Sequence, residues 1–248
     1  MTRIGIVGSA GQMGKALKEA IAAAGHDLAG GVDQADGDVA GRVQEVARQS
    51  DVLVDFSAPD ALSATLAAAV AAEVPVLIGT TGLDAAHLAA IDRAASRIAV
   101  LQTGNTSLGV AMLAHVVRET AARLGPQFDI EIVEMHHRMK IDAPSGTALL
   151  LAQAAAQGRG IALADHMERG RDGSGAARDR GAIGFASLRG GTVAGEHSVI
   201  FAGDDERVVL SHQAENRMVF ARGAVRAACW LIGKPPGRFT MAQVLDLQ

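Results

Sequence analysis

The chain has 248 residues, 49% hydrophobic and 20% charged, enough to bury one large core or two modest ones as an ordinary globular protein. Its 23 basic and 27 acidic residues give a formal net charge of −4 with no basic run, which removes nucleic acid and anionic membranes from the expected partners. Cys229 is the single cysteine, so an intrachain disulfide is excluded and a reducing cytosol fits.

The N-terminus opens directly on a strand pattern, Arg3-Ile4-Gly5-Ile6-Val7-Gly8, without the basic-then-apolar order of a signal peptide. With no apolar run long enough to span a bilayer, a cytoplasmic location is expected. Up to about residue 101, short β-branched runs alternate with alanine-rich helical stretches. Ile4 to Val7, Asp51 to Phe56, Val74 to Ile78 and Ile98 to Leu101 read as strands; Met13 to Ala24, Ala61 to Ala72 and Ala85 to Ala95 read as helices. This alternation predicts a Rossmann-like, doubly wound parallel sheet, with strands buried on both faces.

Gly8-Ser9-Ala10-Gly11-Gln12-Met13-Gly14 lies between the first strand and the first helix, where glycines let the backbone turn tightly and approach a pyrophosphate. Alone the pattern is unspecific. Asp33 strengthens it, nineteen residues after Gly14 at the end of the run Leu28 to Val32, where a carboxylate accepts from ribose hydroxyls. After Asp33 come Gln34, Asp36 and Asp38, and no basic residue until Arg42, a setting that repels a 2′-phosphate and predicts a preference for NADH over NADPH. Gly79-Thr80-Thr81-Gly82 and Asn105-Thr106-Ser107 follow later strands and fall where strand ends line a ligand crevice. Ligand-free, hydroxyl-rich turns explain these two loops equally well, and Asp55-Phe56-Ser57 carries the same ambiguity.

Beyond Ser107 a helical stretch, Leu108 to Leu124, precedes four strand-like segments: Phe128 to Met135, Ala182 to Leu188, His197 to Ala202 and Arg207 to His212. Few helices separate them, which predicts a second, α+β domain with a mixed sheet. Gly158 to Gly181 shows little apolar periodicity and reads as one long mobile loop. The tail from Arg217 to Ile232 is helical in pattern.

Residues 134 to 147 concentrate the chemistry: Glu-Met-His-His-Arg-Met-Lys-Ile-Asp-Ala-Pro-Ser-Gly-Thr. Pro144 breaks any continuous helix, so the expectation is a strand ending near His136, a turn, and a helix capped by Ser145 that runs to about Gln157. The Gly146 and Thr147 amides would then sit at the positive end of that helix, a seat for a carboxylate, with Lys140 as a charge-assisted donor. Zinc is disfavoured, because His136 and His137 are adjacent on a strand and point to opposite faces, and cysteine ligands are absent. Two histidines beside a lysine and a helix start favour proton transfer with anion binding over a structural role.

Taken together, the Gly8 to Gly14 fingerprint, Gly79-Thr80-Thr81-Gly82, the run Glu134 to Thr147, Ile183-Gly184-Phe185-Ala186, Gly195-Glu196-His197 and Asn216-Arg217-Met218 to Trp230 resemble the 4-hydroxy-tetrahydrodipicolinate reductase (dihydrodipicolinate reductase) family. The match runs in register over almost the whole chain. The resemblance implies NAD(P)H-dependent reduction of a cyclic imine dicarboxylate on the diaminopimelate route to lysine, by a homotetramer. It implies a dinucleotide-binding domain over 1–107 and 217–248, and a substrate-binding and oligomerisation domain over 108–216. By position it makes His136 and Lys140 catalytic, and His137, Ser145, Gly146 and Thr147 substrate contacts. The dinucleotide contacts become Gly8, Ser9, Ala10, Gly11, Gln12 and Met13 with Asp33, then Gly79, Thr80 and Thr81, then Thr103, Gly104, Asn105 and Thr106. Two basic residues common in the family are replaced here by Gln34 and Ala58, and its Ala-Asn-Phe loop reads Gly104-Asn105-Thr106. A dehydrogenase acting on another dicarboxylate, or a dinucleotide-binding sensor without activity, remain the competing readings.

Overall fold

Ile4, Ile6 and Val7 lie in a run with no polar face to offer water, and they are buried as the middle of the first strand. The computed structural model describes residues 1–175 and 177–247. Ala176, within the stretch read as a loop, and Gln248, the end of the tail assigned to the dinucleotide domain, lie outside the described residues. Two compact units emerge: Met1–Leu108 with the tail from Arg217, and Gly109–Asn216.

In chain order the first unit contains β1 (Arg3–Val7), α1 (Gln12–Ala23), β2 (Asp27–Val32), α2 (Val39–Gln49), β3 (Val52–Asp55), α3 (Leu62–Ala72), β4 (Val76–Ile78), α4 (Ala85–Ala95) and β5 (Ala99–Gln102). The second holds α5 (Leu108–Leu124), which begins at the boundary, then β6 (Asp129–His136), α6 (Gly146–Arg159), α7 (Leu163–His166), β7 (Met167–Arg169), β8 (Ile183–Arg189), β9 (Gly195–Ala202) and β10 (Arg207–Ala214). The tail supplies α8 (Met218–Leu231), β11 (Gly237–Phe239) and α9 (Met241–Val244).

The first unit's sheet runs β11-β5-β4-β3-β1-β2, with every pairing parallel. Its core includes Val7, Val32, Leu53, Val76, Ile78 and Val100. Because β2 flanks β1 on one side and β3 on the other, the chain reverses its direction of travel across the sheet at β1, and the carboxyl ends of β1, β2 and β3 frame a crevice. The predicted doubly wound parallel sheet is present.

The second unit's sheet runs β10-β9-β6-β8-β7, with β9 antiparallel to β6 and β10, and β8 parallel to β6 and β7. This is the predicted mixed sheet. Along β6 burial alternates, so Ile130, Ile132, Glu134 and His136 share the inner face, under a core that includes Leu151 and Phe201. Polar Glu134 and His136 thus continue an apolar row to the end of the strand.

The expectation of a single loop over 158–181 is corrected. The stretch contains α7 and β7, and β7 draws its backbone partners from β8 in register Met167↔Ile183, which local periodicity does not reveal. Further along, Arg178 is anchored to the sheet through Asp129 Oδ1 (2.6 Å), Glu131 Oε1 (2.8 Å) and the carbonyls of Ile130 and Ala182. Among the described residues, no helix is long and apolar enough to cross a membrane.

Candidate functional site

In the first unit, β1 gives way to a turn at Gly8, whose φ of 86° suits glycine, and a Cβ there would lie 2.5 Å from the Phe56 carbonyl oxygen. A Cβ on Gly14 would meet the Gly8 oxygen at 2.3 Å, so the helix start folds onto its own preceding turn only because both positions lack side chains. No side chain caps α1 and no acid occupies its first turn, which leaves the positive helix end open to an anion. Ala10, Gly11 and Gln12 are exposed around this turn, Met13 is half-buried and Ser9 is buried.

Asp33 stands at the end of β2. Its Oδ2 accepts from the Ala10 amide at 2.8 Å and its Oδ1 from the Gln34 amide at 2.9 Å, while Asp36 accepts from the Asp33 amide at 2.8 Å. A carboxylate so held keeps lone pairs for hydroxyl donors. Gly8, Ala10, Gly11, Asp33, Gln34, Ser57 and Ala58 help line a cleft of about 430 Å³, and none of the residues lining it is lysine or arginine. Glycine backbone, an open helix start and an oriented carboxylate fit a dinucleotide's pyrophosphate and ribose.

The next loops are tied through Asp55, which is fully buried. Its Oδ1 accepts from Ser57 N (2.9 Å), Ser57 Oγ (2.6 Å) and Thr80 Oγ1 (2.9 Å). Gly79 packs where a Cβ would press on the Phe56 ring, Thr80 is buried and Thr81 is exposed. The third loop is held by its own bonds: Asn105 N donates to Thr103 Oγ1 (3.1 Å), and Thr106 Oγ1 donates to the Phe220 carbonyl of α8 (2.7 Å). Gly104 is exposed between them.

In the second unit, β6 carries Glu134 and His136 on its inner face. His136 Nδ1 lies 2.5 Å from Glu134 Oε2, and Arg189, opposite His136 in the β6–β8 register, meets Oε2 and Oε1 at 2.9 Å each. The Ser145 amide also donates to Glu134 Oε1, at 3.2 Å. Burial alone would raise the Glu134 carboxyl, but hydrogen bonds from Arg189, Ser187 and His136 outweigh it and hold the group at about 2. Burial pushes the His136 imidazole below its ordinary range; Glu134 offsets this only in part, and the Lys140 and Arg189 charges add to the depression.

His197 of β9 packs edge-on against His136, with ring centroids 5.1 Å apart. It is buried, its Nδ1 has no partner among the described residues, and burial first, then the His136 charge, presses it to about 4. Its Nε2 lies 3.0 Å from Ser145 Oγ, which also accepts from the Ala148 amide at 3.1 Å. Ser145 therefore caps α6 from a buried position, with its hydroxyl already engaged on both sides. Gly146 is exposed, and a Cβ there would touch nothing within 4 Å, so the space over the helix start is open. Lys140 pairs with Asp142 at 2.8 Å with its side chain 22% exposed, and His137 is half-buried.

In the second unit Glu134 joins His136 to Ser145 and the Lys140 charge bears on the imidazole, while in the first Gly8, Ala10 and Gly11 of the glycine turn line one cleft with Asp33. Sequence reasoning gave no role to Glu134, Arg189 or His197. Glu134 was findable, since a carboxylate two residues before a strand histidine shares its face. Arg189 and His197 were not, because only strand pairing brings them beside residues more than fifty positions away.

Two family models together cover almost the whole chain, the second running on through the tail that the fold returns to the first unit. The model described as "Dihydrodipicolinate reductase, N-terminus" matches residues 2–106, and that described as "Dihydrodipicolinate reductase, C-terminus" matches residues 109–245. The chain is 49% identical to a 4-hydroxy-tetrahydrodipicolinate reductase of Bradyrhizobium diazoefficiens, covering 99% of this chain and 97% of that protein. It is 50% identical to one of Zymomonas mobilis with the same coverage. A dipicolinate-bound dihydrodipicolinate reductase from Paenisporosarcina sp. TG-14 superimposes with a TM-score of 0.77 over 100% of both chains at 24% identity, a likeness of fold.

Proposed function

The chain belongs to the dihydrodipicolinate reductase family, and on that premise we propose how its own residues serve the family's reaction, the NAD(P)H-dependent reduction of 4-hydroxy-tetrahydrodipicolinate in lysine biosynthesis. The observation that carries the reading is the meeting of buried His136, the Lys140 ammonium and the open start of α6 in one unit. The first unit holds the dinucleotide: the backbone from Gly8 to Met13 takes the pyrophosphate, Asp33 the ribose, and Gly79 to Thr81 with Thr103 to Thr106 the remainder. When bound, the dinucleotide supplies the hydride.

The second unit grips the substrate's carboxylates with the Gly146 and Thr147 amides and His137, while Ser145 holds those amides in place as the helix cap. Once the 4-hydroxyl has left as water, hydride adds to the conjugated ring carbon, electron density moves toward the ring nitrogen, and Lys140 or His136 delivers the completing proton. NADH is the preferred reductant, since the cleft beside Asp33 holds Gln34 and Ala58 where a 2′-phosphate would want a cation, and Asp36 and Asp38 add negative charge. We further read the protein as a cytosolic homotetramer with domains at 1–107 with 217–248 and at 108–216.

The test supplies purified protein with the enzymatic condensation product of pyruvate and aspartate semialdehyde and follows NADH and NADPH absorbance in parallel. Oxidation of both, with the higher kcat/KM for NADH, is expected. A clear advantage for NADPH overturns the preference, and oxidation of neither overturns the activity.

A further inference from the structure

Glu134 is 1% exposed, takes no direct part in the reaction proposed above, and yet collects hydrogen bonds from Arg189 twice, from His136 Nδ1, from the Ser145 amide and from Ser187. A buried ion pair of this kind is costly to desolvate and is weak evidence for stability alone, so what it orients matters more. We propose that the Glu134–Arg189 pair is the positioning element of the proton-transfer site: Glu134 fixes the imidazole proton of His136 on Nδ1 and commits Nε2 to the substrate, while Arg189 fixes the loop that carries Lys140. This rests on the function proposed above.

The first half follows from donor and acceptor chemistry. An ionised carboxylate only accepts, so the 2.5 Å contact to Oε2 makes His136 Nδ1 the donor. Nε2 is then the nitrogen left to exchange a proton. Gly195 keeps that nitrogen accessible, because a Cβ at this position would lie 3.1 Å from Nε2. Arg189 balances the carboxylate, so Glu134 orients the ring without holding it as a permanent cation. The same logic orients imidazoles elsewhere in acid–base catalysis, where loss of the carboxylate leaves geometry intact but puts the proton on the wrong nitrogen.

The second half follows from the rest of the guanidinium. Arg189 Nε donates to the Lys140 carbonyl at 3.2 Å and Nη2 to the Asp142 carbonyl at 2.5 Å, so the side chain that grips Glu134 also grips the loop on both sides of Ile141. Through the Ser145 amide, Glu134 reaches the start of α6 as well. One ion pair thus sets the imidazole, the ammonium-bearing loop and the carboxylate seat relative to one another. The charged or titratable groups facing His136 are Glu134 on its own strand, Arg189 on β8, His197 on β9 and Lys140 in the loop.

The experiment reads the tautomer and the kinetics separately. In wild-type protein with ¹⁵N-labelled histidine, His136 should show a protonated Nδ1 and a bare Nε2 at neutral pH; the opposite tautomer overturns the proposal without reference to activity. In Glu134→Gln, kcat should fall on the order of 10²-fold, with a smaller change in substrate KM and NADH affinity unchanged. The limb of the kcat–pH profile that belongs to His136 should move to lower pH, since the group that favours its cation is gone. Arg189→Lys, which keeps the charge but loses the fork, should lower kcat and raise KM together. An unaltered pH profile in Glu134→Gln rejects the role. If that variant does not fold, the wild-type nitrogen shifts decide. A correct tautomer in a protein that oxidises neither dinucleotide would instead count against the proposed function.

Discussion

The Lys140 side chain is mostly buried and held by Asp142 at 2.8 Å, in a loop whose carbonyls are gripped by Arg189. A donor so placed is expected to matter for chemistry and little for the dinucleotide. Lys140→Ala should lower kcat by roughly 10²- to 10⁴-fold while NADH binding, followed by fluorescence titration, stays at the wild-type value. Turnover at the wild-type rate would remove Lys140 from the mechanism. His136, Lys140 and Ser145 were legible as a group because fourteen consecutive residues carry them and a cap signal fixes where the helix begins. Arg189 and His197 were illegible for the converse reason, since each reaches the site by pairing of β8 or β9 with β6, and no local pattern specifies a partner strand.

The alternation of short apolar runs with alanine-rich stretches made most elements of the parallel sheet readable, because strands buried on both faces need no polar alternation. α2 was passed over although Val39, Val43 and Val46 repeat at helical spacing and Asp38 caps it, its Oδ1 accepting from the Gly41 amide at 3.0 Å. β7 and β11, three residues each, are too short to show a period and exist through their neighbours. Within α8, Gly223 is another case where context rules. Alanine in a helix interior is ordinarily favoured over glycine by about 1 kcal/mol, but a Cβ at Gly223 would fall 1.9 Å from the Thr106 carbonyl oxygen. The collision should prevail. Gly223→Ala is expected to destabilise the first unit by about 1–3 kcal/mol net and to weaken NADH binding through the displaced 103–106 loop. Denaturant melts showing a stabilised variant would contradict this.

At the scale of the molecule, acid should act on the inserted unit through its buried histidines. His197 is held at about 4 against an ordinary 6.5, so below 6.5 the unfolded chain takes up a proton that the folded chain refuses. Its contribution is complete above pH 6.5 and is lost as pH falls toward 4, by roughly 3 kcal/mol. His136 and His212, also lowered by burial, add in the same direction. Glu134 extends the loss from about 4.5 down to about 2. Guanidinium midpoints for unfolding of this unit should therefore decline between pH 7 and 4, and His197→Gln should flatten that decline; an unchanged slope in the variant would assign it elsewhere. The division of the chain carries a different kind of consequence. Residues 109–216 interrupt a sheet whose sixth strand, β11, pairs with β5 across more than a hundred intervening positions. Synthesis from the N-terminus therefore delivers every residue of the inserted unit before the outer unit receives α8 and β11, so the order of emergence from the ribosome lets the domain proposed to handle protons fold to completion while the one proposed for the dinucleotide still waits for its last strand.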